Sequence, residues 1–352
     1  MSKKTYRAAA IGRTGGGNYG HGLHLPYKEL DNAEFIAVAD ADDAGREKAK
    51  TESGASRAYA DYHEMLAQEE LDIVSVCPRW TDCHLEMVLA CVEAGCHIYC
   101  EKPIAMNLQD GDTMVAAAEN AGLKIAVSHQ QVYQPATQKT KCLLDEGRIG
   151  QVHSIYTHGK QDHRGGGEDM IVLGTHTFNM MRYFFGDVAW MFSHITTDGH
   201  EITAADVHEP TEPVGLVAGD SINSYFAFKS GVSGFFYSRR YRELHGTKIM
   251  GSKGMMSFNG GNLTLSPNPD DAWGKEEVVE LESSTLHTGN TLAIIDLIDA
   301  IENDREPISS GRAAVAALEM ILGAYESQMT GQRVTFPMAD RTHPLEQLAR
   351  KS

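Results

Sequence analysis

The sequence is poor in positive charge: 31 lysines and arginines stand against 48 aspartates and glutamates, a formal charge of −17. General nucleic-acid binders and proteins of anionic membranes need a basic surface, so both classes are excluded. Long apolar runs are missing as well. No stretch approaches the roughly 18 residues of a membrane span, and the start MSKKTYRAAAIGRTGG lacks an apolar core of secretory-signal length. The six cysteines, Cys77, Cys83, Cys91, Cys96, Cys100 and Cys142, form no C-x-x-C pair. A zinc site or a disulfide framework needs other spacings, which leaves small buried thiols in a reducing compartment. Together these absences predict a soluble, cytoplasmic protein.

What is present is a chain of 352 residues, 42% of them hydrophobic, enough for roughly two domains of about 150 residues with sizeable cores. Short apolar runs at 7–12, 35–40, 72–77, 97–100 and 124–129 suit parallel strands covered on both faces. Helices with readable ends lie between them. Asp61 with Glu64, Thr81 and Asn107 serve as N-caps, and Gly95 and Gly122 as stops. Repeated units of this length predict a doubly wound parallel sheet over residues 1–128. Beyond it, 129–352 reads as an α+β domain with an open antiparallel sheet: a hairpin at 220–238, further short strands to 266, and helices at 169–185, 291–303 and 312–331.

The first strand runs into GRTGGGNYGHG (12–22). Gly15, Gly17 and Gly20 fit G-x-G-x-x-G, while Gly12, Thr14 and Gly17 fit it loosely. Such a loop lets backbone N–H groups approach a pyrophosphate at a helix N-terminus. Asp40 ends the second strand 20 residues after Gly20, the spacing of a carboxylate that accepts from a ribose 2′-OH. It would repel a 2′-phosphate, so NAD is expected over NADP. At the end of the fourth apolar run stand Glu101, Lys102 and Pro103. Proline restricts the residue before it to extended geometry, which aims the Lys102 ammonium at the sheet edge where ligands bind.

The run AGCHIYCEKPIAMN, together with IVSVCPRWTDCH (73–84), GTHTFNMMRYFFGD (174–187) and YESQMTGQRVTFP (325–337), resembles the Gfo/Idh/MocA family of NAD(P)-dependent sugar and inositol oxidoreductases. The resemblance covers nearly the whole chain. It implies a Rossmann domain followed by an open antiparallel sheet through which copies pair, as a homodimer or homotetramer. It puts Lys102 on the substrate, Glu101 on the cofactor, Pro78 and His84 in the nucleotide half, and His176 as general acid/base. A cation over a carbinol oxygen stabilises developing negative charge and relays its proton.

The family signature D-x-G-x-H-x-x-D is incomplete, because Val172 and Asn179 occupy the aspartate positions. Asp169, Val172, His176, Asn179 and Tyr183 recur at helical spacing, so Asp169 is expected to stand in for the missing carboxylate, or to do no more than offset the helix dipole. Arg79 and Trp80 follow Pro78 where the family has asparagine; they are candidates for a phosphate and for the nicotinamide or a sugar face. His129 and Gln130, ending the fifth run, and His158, Lys160, His163 and Arg164 in the loop before the histidine helix, are candidate polyol contacts. His158, Asp162 and His163 match no zinc pattern, and no metal is expected. The function read from these residues is hydride transfer between NAD and a secondary hydroxyl or ketone of a sugar, glycoside or cyclitol. The alternatives are redox-assisted glycoside cleavage and a non-catalytic NAD-responsive regulator.

Overall fold

Ala8, Ala9 and Ala10 are small, apolar and fully buried, so the strand Tyr6–Ile11 (β1) can be covered on both faces. Five more strands join it in a computed structural model that describes residues 4–240, 246–259, 261–268, 274–281 and 289–350. They are Ala33–Ala39 (β2), Arg57–Tyr59 (β3), Ile73–Val76 (β4), His97–Cys100 (β5) and Ile125–Val127 (β6). All pair in parallel, in the order β3-β2-β1-β4-β5-β6. The winding direction reverses between β1 and β4, the switch point where such sheets open a crevice. Ile11, Val76, Cys100 and Val127 lie in register. Gly12, Cys77, Glu101 and Ser128 therefore emerge along one carboxyl edge.

The predicted caps are partly realised. Asn107 accepts from the Asp110 N–H and starts the helix Leu108–Asn120, and Asp61 accepts from the His63 N–H at the start of Tyr62–Gln68. Thr81 instead opens a short turn, and the helix His84–Glu93 begins three residues later. No α-helix follows the glycine loop: between β1 and β2 there are turns and the brief 3₁₀ segment Pro26–Glu29. Gly15, Gly17, Asn18, Gly20 and Gly22 all have φ between +53° and +92°, values a right-handed helix cannot hold.

This unit comprises residues 1–130 with two later segments, 211–215 and 286–315. Its last helix, Gly289–Glu302, lies against β6 although sequence reading groups it with the second domain.

The second unit holds a mixed, mostly antiparallel sheet. Its strands are Val152–His158 (β7), Val188–Thr197 (β8), His200–Glu201 (β9), Ser221–Phe228 (β10), Ser233–Arg239 (β11), Thr247–Gly251 (β12), Gly254–Asn259 (β13), Asn262–Pro267 (β14), Glu277–Val279 (β15) and Val334–Thr335 (β16). The order is β15-β14-β13-β12-β7-β11-β10-β8-β16, with β9 on β8. One pair, β7 with β11, is parallel. The chain between them is long enough to include helices, as a parallel return requires. Helical structure runs from Gly165 to Phe185. Its Phe178 is fully buried and packs on Phe236 (centroids 4.7 Å) and edge-on to Phe226 (6.2 Å). Phe178→Ala is expected to cost about 3–5 kcal/mol through the cavity left behind, read as a lower denaturation midpoint by circular dichroism.

Candidate active site

The carboxyl edge of the first sheet is organised by Glu101, which has no exposed surface. Its Oε1 accepts the Lys102 N–H (2.9 Å) and the Ser128 hydroxyl (2.9 Å). Its Oε2 accepts the His21 N–H (3.0 Å) and His21 Nδ1 (2.9 Å). A carboxylate has about four acceptor sites, and all are filled. Glu101 thus ties the glycine loop to β5 and β6. Burial works against its ionisation, but the hydrogen bond and charge of His21 and the charge of Lys102 prevail and hold the carboxyl at about 2. Lys102 itself is 5% exposed, with its N–H also 3.2 Å from the Ser128 hydroxyl.

The glycines divide by what surrounds them. Gly17 has φ +92°, and a Cβ there would strike the Arg79 and Trp80 backbone. Gly20 has φ +56°, and a Cβ would strike the Cys77 carbonyl and Glu101. At Gly12 the space in front is filled by the Tyr19 ring, so this glycine serves the chain's own packing. Gly15 has open space within 4 Å of a Cβ position, and of the four it leaves room for a ligand.

Asp40, 3% exposed, ends β2 as expected. Thr14 clamps it, with the N–H 3.0 Å and the hydroxyl 2.7 Å from Oδ2, and the Asp42 N–H binds Oδ1 at 3.0 Å. Asp40 helps line a cleft of about 350 Å³ with Gly12, Arg13, Thr14, Tyr62 and Met87. A carboxylate for ribose hydroxyls beside apolar walls suits the adenosine end of a dinucleotide. On the far side of the loop, Arg79 pairs with Glu212 (3.1 Å), and the Thr81 N–H and hydroxyl reach the Pro213 carbonyl (3.0 and 2.8 Å). Trp80 is half-buried with the Arg13 guanidinium 5.8 Å from its ring.

Several expected ligand contacts are instead spent on the fold. His84 is fully buried, its ring nitrogens 2.7 Å from the Pro78 carbonyl and 3.1 Å from that of Ile104. His129 is fully buried against the Ser309 hydroxyl (3.0 Å), and Gln130 donates to Asn290 (2.8 Å).

In the second unit, His158 Nδ1 sits 2.6 Å from the Gly159 carbonyl, and Nε2 accepts the Gly246 N–H (3.1 Å). Asp162 gathers the cations of its loop: Arg164 in a two-point pair, Lys160 at 3.6 Å and His163 at 3.8 Å. The Arg164 hydrogen bond holds its carboxyl far below the usual range. Lys160 and His163 are exposed.

Asp169, expected beside His176, is fully buried. It accepts from the Lys160 N–H (3.1 Å), the Gln161 N–H (3.0 Å) and the Ser238 hydroxyl (2.5 Å). Asp169 therefore anchors the loop. A π-turn at Met170–Gly174 shifts the helical phase between Asp169 and His176, so the periodic stripe is broken there. His176 is half-buried on the helix Thr175–Phe185; Asn179, 1% exposed, lies on the same helix. Sequence reading missed Thr14, His21, Ser128, Glu212 and Asn290. Of these, His21 carried a signal, since it abuts Gly20 in the glycine motif.

A six-stranded doubly wound sheet with a glycine loop after β1 and an acidic residue ending β2 is the arrangement of a dinucleotide-binding domain. Residues 9–129 match the profile of the Gfo/Idh/MocA oxidoreductase family, NAD-binding Rossmann fold, and residues 141–336 that family's C-terminal alpha/beta domain. The chain belongs to this family and carries an NAD-binding Rossmann domain. It is 26% identical to a D-apiose dehydrogenase of Paraburkholderia graminis, over 92% of this chain and 88% of that protein. It is 29% identical to a myo-inositol 2-dehydrogenase of Thermotoga maritima, over 64% and 68% of the two chains. In fold it is similar to an Agrobacterium radiobacter oxidoreductase solved with NAD+, L-tartaric acid and magnesium (TM-score 0.76, 19% identity, 94% and 98% covered). The chain is an NAD-dependent oxidoreductase, and the cleavage and regulator alternatives draw no support from these relatives.

Glu101 also makes a pH prediction. Its carboxyl lies below its ordinary 4.5 in the folded chain, so it stabilises the fold above pH 4.5 and that contribution is lost as pH falls toward 2. The loss is roughly 3 kcal/mol at most. An acid titration followed by fluorescence should show this limb in the wild type and flatten it in Glu101→Gln.

Proposed function

We propose that the chain moves hydride between NAD and a secondary hydroxyl or ketone of a sugar, glycoside or cyclitol, with Lys102 and His176 handling the hydroxyl proton. The observation that carries this is the mounting of Lys102: a nearly buried cation, its backbone held by Glu101 and Ser128, on the carboxyl edge of a dinucleotide-binding sheet. Bound NAD supplies the hydride acceptor. Lys102 offsets charge that develops on the carbinol oxygen and takes part in its proton transfer. His176, half-buried, serves as acid/base. Relatives named for apiose and inositol support a polyol substrate. Asp40 supports NAD over NADP, and the glycine loop, Arg79 and Trp80 remain the proposed cofactor wall. Lys160, His163, Arg164 and Asn179 remain the proposed substrate contacts.

The test is NADH formation with D-apiose and with myo-inositol. Lys102→Met and His176→Ala should each lower kcat about 10²–10⁴-fold while NAD affinity, read by fluorescence, stays close to wild type. Full turnover in both variants would overturn the assignment. Product formed without NADH build-up would point to redox-assisted cleavage.

The chain further acts as a homodimer or homotetramer through the open face of its second sheet. Tyr156, Phe235, Tyr225 and Phe192 stand opposite one another across β7, β11, β10 and β8. Tyr156, Tyr225 and Phe192 are 39%, 37% and 45% exposed. A contiguous aromatic row of this kind marks an interaction surface. Light scattering should report an oligomer for the wild type and a monomer for the double variant Tyr225→Lys/Phe192→Lys. The six free thiols support a reducing, cytoplasmic setting. Among the described residues no helix is long and apolar enough to cross a membrane.

A further inference from the structure

We propose that His21, mounted on Glu101, is a proton-transfer residue of this site, carrying to solvent the hydroxyl proton released at Lys102. The inference rests on the hydride-transfer reading above.

A carboxylate can only accept, so the ring nitrogen facing Glu101 Oε2 at 2.9 Å must donate. Nδ1 thus carries a proton in either charge state of the ring, and Nε2 is the nitrogen that can take up or release one. A buried acid that fixes one tautomer of an imidazole and leaves the other nitrogen basic is the arrangement general-base histidines use. The mounting is rigid. The His21 N–H is bound by the same Oε2 (3.0 Å) and its carbonyl by Asn290 Nδ2 (2.9 Å). Asn290 Oδ1 in turn accepts the Tyr99 hydroxyl (2.7 Å) and Gln130 Nε2 (2.8 Å).

A clamp for the glycine loop would need only the peptide N–H. The imidazole adds a second bond to a fully buried acid while its own side chain stays 45% exposed, which suits a path from a buried carboxylate edge to water. Position agrees: His21 follows Gly20 directly, and Glu101 is shared with the Lys102 backbone. The charged group against it is Glu101, which also feels the charge of Lys102; the Cys77 carbonyl approaches Gly20 from β4.

The step balances. The carbinol C–H bond breaks with its electron pair passing to the nicotinamide of NAD+, and the hydroxyl O–H bond breaks. Lys102 takes that proton as it gives one to His21 Nε2, and His21 releases it to bulk water. The products are one ketone, one NADH and one proton.

The test variant is His21→Asn, whose amide nitrogen stands where Nδ1 stood and keeps the bond to Glu101 while removing the base. With whichever of D-apiose and myo-inositol the wild type oxidises, kcat should fall at least about 10-fold. NAD affinity should stay within about twofold, and added imidazole should restore turnover. Full turnover in the variant would overturn the proposal. So would a loss that imidazole does not relieve and that NAD affinity follows in parallel. If the wild type oxidises neither sugar, the hydride-transfer reading fails on its own account. The dyad is then judged by ¹⁵N NMR of histidine-labelled protein: a neutral His21 protonated on Nδ1 supports it, and one protonated on Nε2 overturns it.

Discussion

The buried carboxylate of Glu101 is the constraint from which the nucleotide half of the molecule follows. It sits where four parallel strands end in register, and its four acceptor positions are filled from three chain segments. Removing a charge from water is costly unless its partners replace the lost hydration. Here two backbone N–H groups, a hydroxyl and an imidazole replace it. Because the partners belong to the glycine loop, to β5 and to the end of β6, satisfying this one group sets the relative placement of loop, lysine and strand ends. Gly20 follows from the same demand, since a side chain there would occupy the space of the Glu101 oxygen.

Much of the fold was legible in the sequence for a plain reason. Short runs such as IVSV and HIYC can be buried on both faces only in a covered parallel sheet, and alternation in SINSYFAF and SGFFYSR separates a core face from an aromatic outer one. The short strand Arg57–Tyr59 escaped because three residues carry no period. The absent helix after the glycine loop escaped because glycine spacing reports where a Cβ is forbidden and is silent on why. In this loop Gly12 makes room for Tyr19, Gly17 for a neighbouring backbone and Gly20 for a carboxylate. Recruitment of 211–215 and 286–315 to the first unit is a property of tertiary contacts, which no local pattern records.

The histidine helix shows the same limit in another form. An ideal 3.6-residue period places Asp169 in line with His176, yet the chain inserts a π-turn between them. The carboxylate then turns to the loop at 159–161 and to Ser238, where two backbone N–H groups and a hydroxyl bind it. The three groups that bind Asp169 thus belong to that loop and to Ser238, on the far side of the π-turn from His176.

Residue type and spacing identify polar groups near a site but cannot divide those that act on a ligand from those that hold the site together. Buried polar atoms must be satisfied, so His84, His129 and Asp169 had to find partners within the chain, and each did. A group can pass a proton to water where its mounting is buried and its working end is not. His21 meets that condition through its ring, which is half exposed on a fully buried acid. The two criteria act at different levels. Hydrogen-bond satisfaction explains why most conspicuous polar residues belong to the scaffold, and partial exposure of a rigidly held group explains where a proton can leave it.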